Sequence, residues 1–299
     1  MSEPGAPTTA CRSEEIVMPI NDQIFARMDE LSPAEKKVAR KLLADYPGAG
    51  LASAAALARS AGTSPPTVLR LLSRLGIGSY PQFQRRLRDE VNDQLNGSRR
   101  QPESETTLAA DGDQFRRAVA ERAALVNELA CSVPPSEFDR TVQLLADRPR
   151  QVLITGGYFS RYLAMTLATE LDEVIPGVEF VSDPSGRQFG KFLNLTRGSV
   201  VLILDFRRYE AAAVHIAQSA NSRGAAVVVV TDQELSPAAE YATAVLPAPV
   251  GGAPFDSMVG VLALLEALVN SVLAAVGKRG MERMRAWYHG AGIVRTRGD

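Results

Sequence analysis

Cysteine and histidine are scarce in this 299-residue sequence, which contains two of each. The cysteines, Cys11 and Cys131, lie far apart and match no metal-ligand spacing, so we expect two free thiols in a reducing compartment. Since the only histidines are His215 and His289, the sequence predicts no metal site, and no cofactor is expected. A disulfide-stabilised secreted protein and a metalloenzyme are therefore both disfavoured.

A long apolar segment is also lacking. The longest apolar run, Val259 to Val269, is interrupted by Glu266 and is typical of a buried helix, so no membrane partner is expected. The first residues carry no basic start followed by an apolar run, as a signal peptide would, and a cytoplasmic protein is predicted. We expect residues 1–19 to form a disordered leader, with translation starting at Met1 or at Met18.

Charge is nearly balanced overall, with a formal net charge of -1, but it is unevenly distributed. Residues 20–100 carry 13 Lys and Arg against 8 Asp and Glu, a net charge of +5, whereas residues 101–299 carry 19 against 23, a net charge of -4. A chain of this length usually holds about two domains, and the basic part is the candidate for nucleic-acid binding. Composition and patterning divide the chain into a head at 20–95, a polar linker at 96–112, a body at 113–280 that opens with a lead-in helix, and a C-terminal helix and tail at 281–299.

The head begins with a clear helix-start signal. Ser32 precedes Pro33 and lies three residues before Glu35, which predicts a capping box with proline in the first helical turn. Farther along, Ser53 is predicted to cap a short helix, and Gly62 to make the turn that ends it.

A second short helix follows that turn. Ser64 is predicted to cap it, with two prolines in the first turn, where no intrahelical N–H bond is lost. Val68, Leu72 and Leu75 recur at helical spacing and predict its buried face. Two short helices around a glycine turn are typical of a helix-turn-helix, whose second helix enters the major groove of double-stranded DNA.

The opposite face of this second helix is predicted to contact DNA. We expect Ser64, Pro66, Thr67 and Arg70 nearest the bases, because a recognition helix directs its first residues at base edges. Phosphate contacts are expected from the remaining basic candidates: Arg74, Arg85 and Arg86. The alternative is a helical hairpin with a solvated basic face.

Residues 20–90 resemble the head of the RpiR/MurR family of bacterial transcriptional regulators. The matching segments are LSPAEKKVARKLL, LARSAGTSPPTVLRLLSRLG and GIGSYPQFQRRL. Ile77 stands where the family often has an aromatic residue. The resemblance implies an all-α helix-turn-helix domain that binds double-stranded DNA sequence-specifically.

The body is patterned as an α/β domain. Its lead-in helix places Phe115, Val119, Ala123 and Val126 roughly on one face. Beyond it, apolar β-type runs alternate with helical stretches, which predicts a parallel sheet covered by helices. The predicted strands are 151–155, 178–181, 200–204, 226–231 and 244–246. Right-handed crossovers favour a five-stranded parallel sheet in flavodoxin-like order, with a ligand outside the carboxyl ends of the first and third strands.

This half resembles the SIS (sugar isomerase) domain, which completes the RpiR/MurR architecture. SIS domains of the family usually hold a sugar phosphate with a G-x-G-x-S loop after the first strand and an S-x-S-G-x-T loop after the third, where open backbone N–H groups cradle the phosphate. The present sequence keeps Gly156 and Ser160 but carries Tyr158 at the second glycine. In the later loop the serines are replaced by Asp205 and Arg207, the glycine by Arg208 and the threonine by Glu210.

These replacements predict a ligand held by side chains instead of by a hydroxyl cradle. Asp205 would repel a phosphate, whereas Arg207 and Arg208 could attract an anion by charge-assisted hydrogen bonds. The alternative is that Asp205 pairs with one of these arginines and only closes the loop. We expect a small-molecule effector that is anionic or sugar-derived. The candidate ligand residues are Gly156, Tyr158, Ser160, Arg161, Asp205, Arg207, Arg208 and Thr231.

An SIS-type sugar-phosphate isomerase is the alternative function, because the fold serves enzymes too. Isomerisation needs a positioned base, but His215, Glu170 and Glu266 are expected to be packing or surface residues within helices, and His289 lies near the C-terminus. No catalytic residue is therefore predicted. The resemblance implies a homodimer or homotetramer paired through the SIS domain, which would present two heads to a palindromic operator.

Overall fold

The computed structural model describes residues 20–98, 114–251 and 256–291. The expected leader at 1–19, most of the expected linker and the last eight residues lie outside the described part of the chain. Within it, a helical head precedes an α/β body, as the sequence predicts. The head contains α1 (Ile20–Ala26), α2 (Pro33–Ala44), α3 (Gly48–Leu51), α4 (Ala54–Ser60), α5 (Pro65–Arg74) and α6 (Tyr80–Ser98), with a 3-10 helix at Met28–Glu30.

Local capping signals in the head are confirmed at the start of α2 and of α4. The backbone N–H of Ser32 donates to the Glu35 carboxylate at 2.8 Å, and the Ser32 hydroxyl accepts from the N–H of Glu35 at 3.4 Å. The Ser53 hydroxyl accepts from the N–H of Ala56 at 3.2 Å. Gly62 has φ +60°, the left-handed conformation that its turn requires.

The prediction that the Ser64 side chain caps α5 is wrong. Ser64 occupies the N-cap position of α5, but its hydroxyl makes no capping bond. The next two residues are prolines without an N–H, and the N–H of Thr67 is already bonded to the Ser64 carbonyl at 2.9 Å. The hydroxyl instead lies 3.0 Å from the Thr67 hydroxyl.

The body is a sheet wrapped by helices. Its helices are α7 (Gln114–Ser132), α8 (Pro135–Ala146), α9 (Arg161–Val174), α10 (Gly190–Leu193), α11 (Ala211–Ser222), α12 (Val259–Val276) and α13 (Lys278–Gly290), with a second 3-10 helix at Pro237–Tyr241. The strands are β1 (Gln151–Gly156), β2 (Val178–Phe180), β3 (Ser199–Leu204), β4 (Ala226–Thr231) and β5 (Ala244–Pro247). All pairs are parallel and the order is β2-β1-β3-β4-β5, so the predicted flavodoxin-like sheet is confirmed.

The two faces of the sheet bury alternate residues of each strand. On one face Ile154 and Leu202 pack with α8, α9 and α12, and on the other Leu153 and Ile203 pack with α10 and α11. β3 is buried along its whole length because it lies inside the sheet and is covered on both sides. This arrangement leaves the carboxyl ends of β1 and β3 at one edge, with their following loops side by side.

α12 is long and apolar enough to cross a membrane by length and composition, with a mean hydropathy of 2.2. In this structure it packs on the sheet together with α8 and α9 and buries Val261, Leu264, Leu268 and Val272. Only 33% of this helix is buried, so the buried helix that the sequence predicts is observed on its inward side alone.

The head packs directly on the body through α2, a contact that the sequence did not predict. The Glu137 carboxylate of α8 is buried between the two parts and pairs with Arg40 and Lys36 of α2. It also accepts from the N–H of Val245 in β5 at 2.8 Å. The core of the head includes three residues from the body: Leu235, Ala239 and Val245.

Candidate DNA-binding surface and effector crevice

The solvent-facing side of α5 is the candidate recognition surface. Among the residues predicted to lie nearest the bases, Ser64, Pro66 and Arg70 are exposed. Leu69 is 49% exposed and Ser73 is also exposed, and neither was predicted. The sequence held a signal for Leu69, because α5 has more apolar residues than one buried face can accommodate.

Thr67 was predicted to lie near the bases, but it is buried, with only 4% of the residue exposed. Its hydroxyl lies 3.0 Å from the Ser64 hydroxyl and accepts from Nη2 of Arg70 at 3.0 Å. The side chain therefore orients Arg70 from within the head and does not itself face a base. We remove it from the residues expected to contact DNA.

Arg74 is engaged inside the head. Its Nε donates to the Glu35 carboxylate at 3.1 Å, and its backbone carbonyl accepts from the Arg27 guanidinium. Burial by itself would raise the pKa of Glu35, but the hydrogen bonds from Ser32 and Arg74 outweigh that effect and lower it. Arg74 therefore fastens α5 to α2, while about half of its side chain remains exposed, at 47%.

The other basic residues of the head differ in accessibility. On α6, Arg85 and Arg88 are exposed, whereas Arg86 is partly buried. Arg59, near the end of α4, is exposed and was not predicted. Arg85 keeps its place as a candidate phosphate contact, and Arg86 is less accessible than the sequence suggested.

The candidate effector crevice, called the crevice below, is the space between the loop after β1 (156–161) and the loop after β3 (205–210). Gly156 is required where β1 ends, because a Cβ there would lie 2.8 Å from the backbone N of Arg161. Ser160 is buried, and its hydroxyl donates to the Leu204 carbonyl at 2.7 Å and accepts from the N–H of Gly157 at 2.9 Å. Its predicted role as a ligand contact is corrected, because the hydroxyl joins the two loops.

Asp205 is also turned inward. It is 3% exposed, and its carboxylate accepts from the Ser236 hydroxyl and from the N–H of Glu210 at 3.2 Å. Burial raises the pKa of this carboxyl to about 6, since the hydrogen bonds only partly offset the loss of solvation and Glu210 and Asp232 add repulsion. Neither sequence-based interpretation holds for the described residues, because Asp205 does not face a ligand and does not pair with an arginine.

Asp232 fastens the loop after β3 to the loop after β4. Its carboxylate accepts from the N–H of Arg207 at 2.7 Å, from the N–H of Glu234 at 3.1 Å and from the Tyr209 hydroxyl. Burial and then the neighbouring Asp232 raise the pKa of Tyr209. The preceding Thr231 is fully buried, and its hydroxyl accepts from the N–H of Ser236 at 2.9 Å. Thr231 is therefore corrected from a ligand contact to a structural residue.

The three arginines expected to hold an anion have different environments. Arg207 reaches Asp256 at 3.3 Å, and the Arg161 guanidinium lies over the rings of Tyr158 and Tyr162, at 5.1 and 5.2 Å from their centroids. Arg208 is exposed and has φ +72°, a left-handed conformation that favours glycine. This is the position at which the resembling family has a glycine.

A cavity of about 580 Å³ lies at the opposite edge of the sheet. It is lined by the end of α8, by the segment before β1 and by the amino ends of β3 and β4, and its lining includes Arg140, Arg148 and Arg197. Sheets of this topology bind ligands outside the carboxyl ends of their strands, so we do not assign the effector to this cavity.

The residues weighed as catalytic bases are spread through the body. His215 lies on the exposed side of α11 and stacks on Phe189, with ring centroids 5.4 Å apart. His289 is exposed near the end of α13. The pKa of Glu170 in α9 is raised by burial and then by Glu266 and Glu173. Among the described residues, no group of three His, Cys, Asp or Glu is placed to hold a metal ion.

Comparison with known proteins matches both parts of the chain to family models. Residues 18–94 match the helix-turn-helix domain of the rpiR family, and residues 144–271 match the SIS domain. The HTH-type transcriptional regulator HexR of Pseudomonas aeruginosa is 26% identical over 258 residues, which cover 84% of this chain and 88% of that protein.

Two solved structures share the fold. The sugar isomerase domain of an RpiR transcription factor from Sphaerobacter thermophilus has a TM-score of 0.53 at 23% identity, covering 61% of this chain and 99% of that chain. The Vibrio vulnificus NanR protein, complexed with ManNAc-6P, has a TM-score of 0.53 at 19% identity, covering 93% and 99%. The two family models match the head and the body in turn. The chain therefore belongs to the RpiR family of DNA-binding transcriptional regulators, with a helix-turn-helix head and a C-terminal SIS domain.

Proposed function

We propose that this regulator binds operator DNA through the exposed side of α5 and that a sugar-derived effector in the crevice controls that binding. The observation that carries the proposal is the direct contact of the head with the body beside the crevice. A regulator needs its ligand site and its DNA-binding surface joined by elements that move together.

The DNA contacts follow from exposure and charge. Ser64, Pro66 and Arg70 lie near the start of α5, where a recognition helix reads base edges, and Leu69 offers an apolar contact of the kind that reads thymine methyl groups. Arg85 on α6 is the proposed phosphate contact. Thr67 acts indirectly, by holding the Arg70 guanidinium.

The effector would meet exposed side chains of the two crevice loops. Tyr158, Arg207 and Arg208 are exposed and Arg161 is partly buried, whereas the hydroxyls of Ser160 and Thr231 are committed within the protein. A sugar-derived effector is supported by the SIS match, and the structurally similar NanR protein was solved in complex with ManNAc-6P.

A chain of contacts connects the crevice to the head. Asp205 binds Ser236, whose hydroxyl also accepts from the N–H of Ala238 at 3.1 Å and so caps the second 3-10 helix. That helix packs on α2, where Lys41 pairs with Glu240 at 2.8 Å. Next to it, Arg40 donates to the Ala242 carbonyl at 2.9 Å. A ligand that displaces the loop after β3 would act on α2 through these bonds, with a coupling free energy of about 1–3 kcal/mol.

An oligomer is supported by the uncovered apolar face of α7. Phe115 is 78% exposed, and Val119 and Val126 on the same side of the helix are exposed as well. An apolar stripe of this kind normally packs on another surface, and in a homodimer or homotetramer α7 of a second subunit would cover it. Two heads would then meet a palindromic operator. We further propose that the head (20–95) and the body (113–280) are the two folding units, and that the protein acts in the cytoplasm.

The experiment that tests this function is selection of fragmented genomic DNA from the source organism by the purified protein at two salt concentrations. We expect a few recurrent palindromic sites that survive the higher salt. Retention without a preferred site, lost as salt rises, would contradict the proposal, since a basic surface alone gives salt-sensitive binding.

An isomerase remains the second candidate, because the SIS fold also serves enzymes. The crevice argues against it, since the carboxylates of Asp205 and Asp232 are engaged by hydrogen bonds and His215 lies on α11, stacked on a phenylalanine. Turnover of sugar phosphates in a direct substrate screen would favour the enzyme.

A further inference from the structure

The negatively charged carboxylate of Glu210 lies against the loop that precedes α9. Its Oε1 accepts from the N–H of Tyr158 at 2.8 Å, in the loop between β1 and α9. The carboxylate lies directly over Gly157, where a Cβ would come within 2.6 Å of Oε1. Backbone N–H groups before a helix attract anions such as phosphate. In this protein a carboxylate already occupies that position.

The backbone of Glu210 is fixed by a neighbouring carboxylate, while the residue itself is exposed. Asp205, itself buried, accepts from the N–H of Glu210 at 3.2 Å and fixes the start of α11. The N–H of the preceding residue, Gly157, donates to the Ser160 hydroxyl at 2.9 Å. The first two amides after β1, those of Gly157 and Tyr158, are therefore satisfied from within the chain.

The nearby arginines also make contacts within the chain. Arg207 pairs with Asp256, and Arg161 lies over the rings of Tyr158 and Tyr162 while keeping its positive charge. A phosphate that bonded the Tyr158 N–H would have to displace the Glu210 carboxylate or lie within a few ångströms of it, where the two negative charges repel each other.

We propose that Glu210 excludes phosphate esters from the crevice and that the effector of this protein is a sugar derivative without a phosphate group. The inference rests on the proposed function, in which the crevice binds a sugar-derived effector. Hydroxyl or ammonium groups of such a ligand would donate to the Glu210 carboxylate, and its ring could lie on the exposed face of Tyr158. Glu210 is thus a residue that determines specificity.

The test compares the wild-type protein with Glu210→Thr and with Glu234→Thr as the matched control. Glu234 is an exposed carboxylate on the adjacent loop, so its replacement removes the same charge without touching the Tyr158 N–H. Binding of inorganic phosphate, and of a panel of sugar phosphates, is measured by calorimetry at constant ionic strength. We expect Glu210→Thr to bind phosphate at least tenfold more tightly than the wild type and the control do.

Two results would overturn the inference. One is a wild-type protein that binds phosphate or any sugar phosphate of the panel as tightly as Glu210→Thr does. The other is a Glu210→Thr protein that gains no more affinity than the Glu234→Thr control, because the amides would then not form an anion site at all. Operator affinity without ligand should be within twofold of wild type in the Glu234→Thr control. Loss of operator binding in all three proteins would sink the regulator proposal alone, since phosphate binding is measured without DNA.

Discussion

The recognition surface and the effector crevice are both rich in short polar side chains, yet the structure uses them in opposite ways. On α5, most of the polar residues predicted to face outward do so, and Thr67 is the exception. In the crevice, Ser160, Asp205 and Thr231 are turned inward and bonded to backbone groups, and Asp205 also accepts from the Ser236 hydroxyl. Polar residues on an amphipathic helix have their direction set by the helical period, whereas those in adjacent loops bond whichever group the neighbouring loop presents.

The recognition surface lies on the head and the crevice on the body, and the largest expected effect comes from Glu137→Ala, which breaks the buried contact between head and body. The change leaves Arg40 buried without its counter-charge, and removing one partner of a buried pair costs about 3–5 kcal/mol of unfolding free energy. Urea denaturation measures the loss. The control, Glu240→Ala, removes the more exposed pair with Lys41 and should cost about 0–1 kcal/mol. Equal losses in the two variants would mean that the head does not depend on the buried contact.

The recognition surface is tested by Arg70→Ala. We expect specific operator binding to weaken by about 1–3 kcal/mol, the range for a good base contact. Operator titrations at fixed salt measure the change. Arg187→Ala, which removes an exposed arginine of the body, should leave operator affinity unchanged. If both variants lose affinity equally, net charge and not the position on α5 explains the effect.

The burial of Asp205 is tested by the pH dependence of the free energy of unfolding. The pKa of Asp205 is about 6 in the folded protein against an ordinary 3.8, so folding takes up a proton between these values. The contribution of Asp205 to the free energy of unfolding therefore rises by roughly 1–2 kcal/mol as pH falls from 7.5 to 5. Urea denaturation of wild type and Asp205→Asn at both pH values isolates the effect, because shifts at other carboxyls cancel in the difference. A difference that does not change with pH would place Asp205 in contact with solvent.

The smallest expected effect concerns the strained residue of the crevice. Because Arg208 has φ +72°, Arg208→Gly should leave stability unchanged or raise it by up to about 1 kcal/mol. Arg207→Gly is the control at a neighbour outside the left-handed region, and it should lower stability by about 0.4–1 kcal/mol. Thermal unfolding distinguishes them. A larger loss for Arg208→Gly would show that its side chain stabilises the loop.

Much of the fold could be predicted because its signals are local. The capping box at Ser32, the turn at Gly62 and the period of buried residues on α5 each depend on neighbours within a few positions. The five strands were placed nearly to the residue, since their apolar runs are long and are separated by helical patterns. Right-handed crossovers then favoured the observed strand order among the few that they allow.

The crevice could not be predicted to the same depth. Loop patterns indicated which residues lie near the carboxyl ends of β1 and β3, but not which way they face. The bond from Tyr158 to Glu210 joins residues 52 positions apart, and Asp205 meets Ser236 across 31 positions. No spacing rule connects such pairs, because their approach depends on the packing of separate loops.

The sequence by itself therefore determined the secondary structure and the helix-turn-helix, because both follow from short-range periodicity and backbone preferences, and the handedness of the crossovers favoured the observed strand order. Only the tertiary structure decided that the head packs on the body through Glu137, that Asp205 is buried and that Glu210 occupies the amide of Tyr158. These outcomes depend on which charged groups lose water and on which partners they then find, and that balance is set by contacts between distant parts of the chain.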